Sequence, residues 1–261
     1  MSDAFISARL KLDRAKKHLA DFKRKNTAFL KNNKCVPFTE AHPDRAQHVI
    51  CKVRLTKNRV PKGFSETIGD AVDNLRSALD CAVYGVAIAA GHPEAKEAYF
   101  PFSGSAADFE RNLKGRCRDV PKEIYPLLRS FEPYKGGSNA LFALNVVCVS
   151  NKHKLVIPCA SATLAAGVSA RAVGFMEMPY PRPAWDSEKN EMVLFTANTH
   201  TQQFHAEFDF AVYVAFGKID LVGGEPVGPI LEQFSDMVET IIAEIEAETR
   251  RLGFRADLSP I

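Results

Sequence analysis

The chain has 261 residues, of which 46% are hydrophobic and 25% are charged, a balance typical of a globular protein and unlike a disordered tail or a fibre. Its 34 basic and 31 acidic residues leave a formal net charge of +3, so bulk charge predicts no nucleic-acid or membrane partner. The first residues carry charges and lack the apolar run of a signal peptide, and the six cysteines form no CxxC pair. We therefore expect no membrane association, reduced thiols and a cytoplasmic location.

The first predicted element is an amphipathic helix from about Asp3 to Leu30. Its apolar residues recur every three or four positions and are Phe5, Ala8, Leu12, Ala15, Leu19 and Phe22. The other face is basic, and residues 1–34 contain ten Lys or Arg against three Asp, a local charge of +7. We expect a solvated face that an acidic last helix neutralises in part. Contact with a nucleic-acid backbone is the alternative.

The next elements are a strand and a central helix. Alternation from Val49 to Leu55 predicts a strand with one wet face. Ser65 or Thr67 is the expected cap of a mostly apolar helix that Gly91 and a following proline end.

Three shorter helices are predicted before residue 155. Ser105 and Asp108 resemble a capping box, Pro126 predicts a short or kinked helix, and Ser138 is the expected cap of a buried helix that ends in NKHK.

The C-terminal half is predicted to be an antiparallel β meander closed by an amphipathic helix. Four runs rich in β-branched and aromatic residues lie between residues 155 and 216, and residues 220–261 carry a charge of −6. The fold class expected is α+β, with a helical N-terminal half and a single domain over residues 1–261. A split near residue 157 is the alternative.

A polar stripe on the central helix is the first candidate site. Six residues recur at helical spacing on a helix that is otherwise apolar: Asp70, Asn74, Ser77, Asp80, Cys81 and Tyr84. Buried carboxylates need partners, so the stripe is either a hydrogen-bonded packing network or a binding site. The residues expected to bind a ligand are Asp70, Asp73, Asn74, Arg76, Asp80, Lys152 and His153.

The NKHK sequence at residues 151–154 is the second candidate. Its cations complement the negative end of a helix dipole, and they could also bind a phosphate or a carboxylate. If the two buried helices are neighbours, His153 meets Asp70 or Asp73 and forms a candidate acid–base or metal site. Arg76, His153 and Asp70 are the catalytic candidates of that interpretation.

The motif GDAVDNLRSALD at residues 69–80, with NKHK about seventy residues later, resembles an uncharacterised bacterial protein family with GD-x-x-x-NLRSALDH and D/N-KH motifs. The Arg-to-His spacing of that motif is similar to the R-x(4–6)-H signature of HEPN ribonucleases and toxins. This similarity implies metal-independent RNA cleavage, with Arg76 near the phosphate and the acid–base histidine at position 81. Position 81 is cysteine in this chain.

A third cluster lies on a predicted strand near residue 205. His205 and Glu207 share one face of that strand, with His200 nearby, and these groups are weak candidates for a divalent cation. A half-wet sheet has the same pattern without a metal.

The sequence therefore predicts a binding protein with a polar pocket around the NLRSALD helix and NKHK, with no cofactor required. Its ligand would be an unknown small molecule or RNA, and a homodimer is compatible with the pattern. A degenerate HEPN-like RNase and a metal-dependent hydrolase are the alternatives.

Overall fold

The computed structural model describes residues 2–55, 60–61, 63–153, 159–164, 176–177, 186, 189–198, 210–217, 219–254 and 257–258. For residues 2, 35, 151–153, 159–164, 176–177, 210–212 and 257–258 it describes the backbone alone.

The described ranges contain six α-helices and a one-turn 3₁₀ helix at Lys122–Ile124. The α-helices are α1 (Ile6–Asn32), α2 (Gly63–Ala89), α3 (Ala106–Arg116), α4 (Tyr125–Ser130), α5 (Asn139–His153) and α6 (Val227–Arg251). Ser105 caps α3 as expected, since its Oγ accepts a hydrogen bond from the Asp108 amide at 3.2 Å. Pro126 lies in the first turn of the short helix α4, where its missing N–H leaves no helical bond unmade.

The strands are short and every described strand pair is antiparallel. They are β1 (Ser2–Asp3), β2 (Cys35–Ala41), β3 (His48–Leu55), β4 (Cys159–Leu164), β5 (Met176–Glu177), β6 (Glu191–Asn198), β7 (Phe210–Ala215) and β8 (Asp257–Leu258). One sheet has the order β2-β3-β6-β5, while β4 pairs with β7 and β1 with β8. The α+β class, the helical N-terminal half and the closing helix are confirmed. The back-half strand β6 pairs with β3 of the front half, so the main sheet joins both halves of the sequence.

The main hydrophobic core lies between α2 and the helices around it. α2 packs against α1, α5 and α6, and its fully buried side chains include Ile68, Leu75 and Leu79. Val214 and Phe216 from the back half belong to the same core. This shared core favours the single domain over a split near residue 157, which stays a prediction.

Three ion pairs join α1 and α6, as the complementary charges of the two ends predict. Arg9 pairs with Glu246, Lys16 with Glu239 and Lys23 with Glu232. Each pair is seven residues from the next on both helices and the two series run in opposite directions, so α1 and α6 are antiparallel with a heptad register. We call this set the α1–α6 ladder.

Two local expectations are wrong. Ser65 and Thr67 do not cap α2, because the helix begins at Gly63 and both side chains are buried within its first turns. Lys52, which the alternation places on the face of β3 expected to be wet, is buried because acidic side chains of the two flanking strands cover it, whereas Arg54 on that face is exposed. The residue is 8% exposed, and its Nζ lies 2.5 Å from Glu40 Oε2 and 2.9 Å from Glu191 Oε1.

Among the described helices, none is both long enough and apolar enough to cross a bilayer.

Candidate functional site

The polar stripe of α2 divides between two sides of the helix. On one side Asp70 approaches α1, where His18 Nδ1 lies 4.0 Å from Asp70 Oδ2. On the other side Asp73, Arg76 and Asp80 meet α5 and the irregular segment after α2. The structure therefore does not gather the predicted binding residues around one point.

The first side of the stripe is open to solvent. The Asp70 side chain is 64% exposed, so the expectation that it is buried is wrong, and it needs no partner to offset a desolvation cost. Asn74 donates from Nδ2 to the Asp70 carbonyl oxygen at 2.7 Å, a bond within its own helix. His18 is the residue that this side adds, and no sequence motif singled it out.

The second side is engaged in packing. Cys148 Sγ donates to Asp73 Oδ1 at 3.0 Å, and the Phe100 amide donates to Asp80 Oδ1 at 3.0 Å. The Arg76 guanidinium carbon lies 5.1 Å from the centre of the Phe102 ring, a cation–π contact. Arg76 Nε is buried and has no hydrogen-bond partner among the described residues. These contacts fit the packing-network interpretation better than an open site.

The position of NKHK follows from the contact of α5 with α2. Cys148 of α5 is hydrogen-bonded to Asp73 of α2, so this face of α5 is turned toward α2. The backbone of Lys152 lies one helical turn further along the same face. His153 is five residues beyond Cys148, about 140° around the helix axis. The side chains of Lys152 and His153 lie outside the described residues, so their approach to Asp70 or Asp73 stays a prediction.

A cleft of about 210 Å³ lies beside the C-terminal half of α2. The helix contributes Asp80, Cys81 and Tyr84 to it. The segment that follows contributes Ala95, Lys96, Ala98 and Tyr99. We call this cavity the α2 cleft and residues 95–99 its wall loop. Asp80 is the one predicted binding residue among the seven that line the cleft.

Hydrogen bonds fix the wall loop in place. Asp119 Oδ2 accepts from the amides of Lys96 and Glu97 at 2.8 and 2.9 Å, and these bonds hold the pKa of Asp119 below its usual value. The Tyr99 amide donates to the Arg116 carbonyl oxygen at 3.0 Å. The cleft is therefore preformed, which lowers the entropic cost of binding a ligand there.

Cys81 is the half-buried thiol of the cleft. Burial raises its pKa, and the charge of Lys11 on α1 opposes that effect in part. A thiol with a raised pKa is protonated at neutral pH and is a poor nucleophile or general base. The chemistry that the HEPN similarity requires at this position is therefore not favoured by Cys81, although the similarity itself stays untested.

The metal candidates receive no support within the described ranges. His200, His205 and Glu207 lie outside the described residues. In the part of the chain that the structure describes, no group of three His, Cys, Asp or Glu side chains is placed to hold a metal ion.

Comparison with protein-family models, with curated proteins and with solved structures gives no match. The site must therefore be interpreted from its own geometry.

Proposed function

We propose that this protein binds a small ligand in the α2 cleft, on the polar side of the NLRSALD helix. The observation that carries the proposal is the preformed cavity of about 210 Å³ beside Asp80 and Cys81, at the C-terminal end of the polar stripe. A concave site that combines aromatic and apolar walls with a few polar groups is the usual form of a small-molecule site.

The size of the cleft limits the ligand. Sites for drug-sized molecules measure roughly 300–1,000 Å³, whereas an engineered protein cavity of about 150 Å³ holds one benzene molecule. A cavity of about 210 Å³ therefore suits a single ring or a short chain. This supports a metabolite-sized ligand more than an extended RNA strand, which would contact the cleft with one nucleotide only.

Several predictions made from the sequence are compatible with ligand binding in the α2 cleft. A contribution from Lys152 and His153, a cytoplasmic location and a homodimer are each compatible with it. Asp73, Arg76 and Asn74 have partners in the fold and act, in this proposal, by positioning α2 rather than by touching the ligand.

A fragment screen on two matched variants tests the proposal. Ala95→Trp places a large side chain in the cleft, whereas Glu94→Trp places the same side chain at the adjacent exposed position. Ligand-observed NMR with a library of single-ring fragments should show binders for the wild type and for Glu94→Trp, and lose them for Ala95→Trp. Equal binding to all three proteins, or binding to none, contradicts the proposal.

A further inference from the structure

The geometry points to a ligand of one chemical class for the α2 cleft: a single planar ring that carries an anionic group, a carboxylate or a phosphate ester. This inference rests on the proposed function, and it adds the charge and shape of the ligand.

The apolar walls of the cleft favour a ring. Tyr84 and Tyr99 face it from the helix and from the wall loop, with Ala95 and Ala98 between them. Two aromatic side chains and two methyl groups offer flat apolar surface, which suits a planar ring more than a branched or strongly hydrated molecule. Tyr84 is held in place because its hydroxyl donates to the Pro93 carbonyl oxygen at 2.8 Å.

The charges around the cleft favour an anion. Lys96 lines the cavity, and the Arg116 guanidinium carbon lies 5.9 Å from the centre of the Tyr99 ring. Neither Lys96 nor Arg116 forms an ion pair with a described residue, so each can receive an anionic group.

The one acid of the cleft does not cancel this charge. Asp80 lines the cavity, but its Oδ1 accepts a hydrogen bond from the amide of Phe100, the residue directly after the wall loop, and this bond fixes the carboxylate in place. The carboxylate of Asp80 is thus opposed by two cations, Lys96 in the lining and Arg116 beside Tyr99. If the charge of Asp80 instead determined the preference of the cleft, the preferred ligand would be cationic. A comparison of anionic with cationic ring compounds therefore separates the two alternatives.

Protection of Cys81 from alkylation provides the measurement. Iodoacetamide modifies the thiol, and the rate is followed by mass spectrometry of the Cys81 peptide, with the buried Cys117 as an internal reference. The probes are benzoate and phenyl phosphate, with benzyl alcohol for the neutral ring, benzylamine for the cationic ring and acetate for the anion without a ring.

We expect benzoate or phenyl phosphate at about 10 mM to slow the alkylation of Cys81 about ten-fold. This effect corresponds to a dissociation constant on the order of 1 mM, a typical affinity for so small a ligand. Benzyl alcohol, benzylamine and acetate should slow the alkylation of Cys81 less than about two-fold, because none of them combines a ring with an anionic group. Lys96→Gln and Arg116→Gln should weaken the protection, whereas Lys17→Gln, a change at an exposed position of α1, should not.

The outcomes separate the two proposals. Stronger protection by benzylamine than by benzoate overturns this inference but leaves the cleft as a binding site. If neutral fragments bind at the cleft while benzoate and phenyl phosphate do not protect Cys81, this inference is likewise overturned and the cleft remains a binding site. If no fragment binds at the cleft at all, both proposals fail. If Cys81 reacts too slowly to follow, the amide NMR shifts of Tyr84 and Tyr99 during the same titrations give the same comparison.

Discussion

Lys16 Nζ lies 2.7 Å from Glu239 Oε1, at the centre of the α1–α6 ladder. The two residues are 223 positions apart, so this contact joins the basic first segment of the chain to the acidic last one. The near-neutral net charge of +3 conceals this separation, because the charges of the two ends offset each other within the folded structure.

Reversal of the ladder charges tests this relationship. Lys16→Glu and Glu239→Lys should each lower the free energy of unfolding by about 0.5–1 kcal/mol, because each places like charges together on partly exposed side chains. The double variant should recover most of the loss. Urea denaturation at low and at 1 M salt measures both effects, and the single-variant losses should shrink at high salt. Additive losses in the double variant would show that the pair does not interact.

Gly85 is a position where α2 has no room for a Cβ. A Cβ there would lie 2.8 Å from the Ala4 carbonyl oxygen and 2.9 Å from Phe5 Cδ1. Gly85→Ala should therefore lower the free energy of unfolding by about 1–3 kcal/mol, despite the better helix propensity of alanine. Gly228→Ala in α6 is the matched control, because its Cβ meets no atom within 4 Å. Denaturant unfolding should show the control unchanged or slightly more stable. Equal behaviour of the two variants would mean that the N-terminal segment does not pack at Gly85.

The Asp119 carboxylate makes the wall loop sensitive to acid. Its pKa is lowered from the usual 3.8, mainly by hydrogen bonds from the Glu97 and Lys96 amides. Because the folded pKa is depressed, the stabilisation is complete above pH 3.8 and declines as the pH falls from there through the lowered pKa. The amide NMR shifts of Lys96 and Glu97 should therefore move together below that pH.

Asp119→Asn removes the titrating group and should abolish this common transition. The same change at Asp13, which is exposed on α1, should leave both amides as in the wild type. A transition that persists in Asp119→Asn would assign it to another group and contradict the role of Asp119.

The RNase interpretation has a direct test in Arg76 and Cys81. We expect no metal-independent cleavage of single-stranded RNA by the wild type, because burial raises the pKa of the Cys81 thiol and Arg76 packs against Phe102. Arg76→Ala should leave the background unchanged. Cleavage that disappears in Arg76→Ala and rises in Cys81→His would instead support the HEPN interpretation.

Periodicity predicted the helices well because each buries an apolar face of regular spacing. The core residues Leu12, Leu19 and Phe22 of α1 are buried as expected. The pairing of strands was harder to predict, because alternation shows which face of a strand is apolar but not which strand lies beside it. Lys52 illustrates this, since only the pairing of β3 with both β2 and β6 brings Glu40 and Glu191 to it.

Of the α2 cleft, the sequence predicted only the part that the helix α2 contributes. Asp80, Cys81 and Tyr84 belong to the stripe that helical spacing revealed, and all three line the cleft. Lys96 and Tyr99 lie in an irregular segment whose course is set by hydrogen bonds to Asp80, Arg116 and Asp119, and no periodic pattern marks such a segment. Helical spacing also grouped Asp70 with Asp80, although the two side chains lie on different sides of α2.

A crystal structure of the protein with the tightest fragment from the screen tests the binding site most directly. We expect density for the fragment in the α2 cleft, with its ring between Tyr84 and Tyr99 and within contact distance of Cys81. Density for the fragment elsewhere, with the cleft unchanged, would contradict the assignment of this cavity as the binding site.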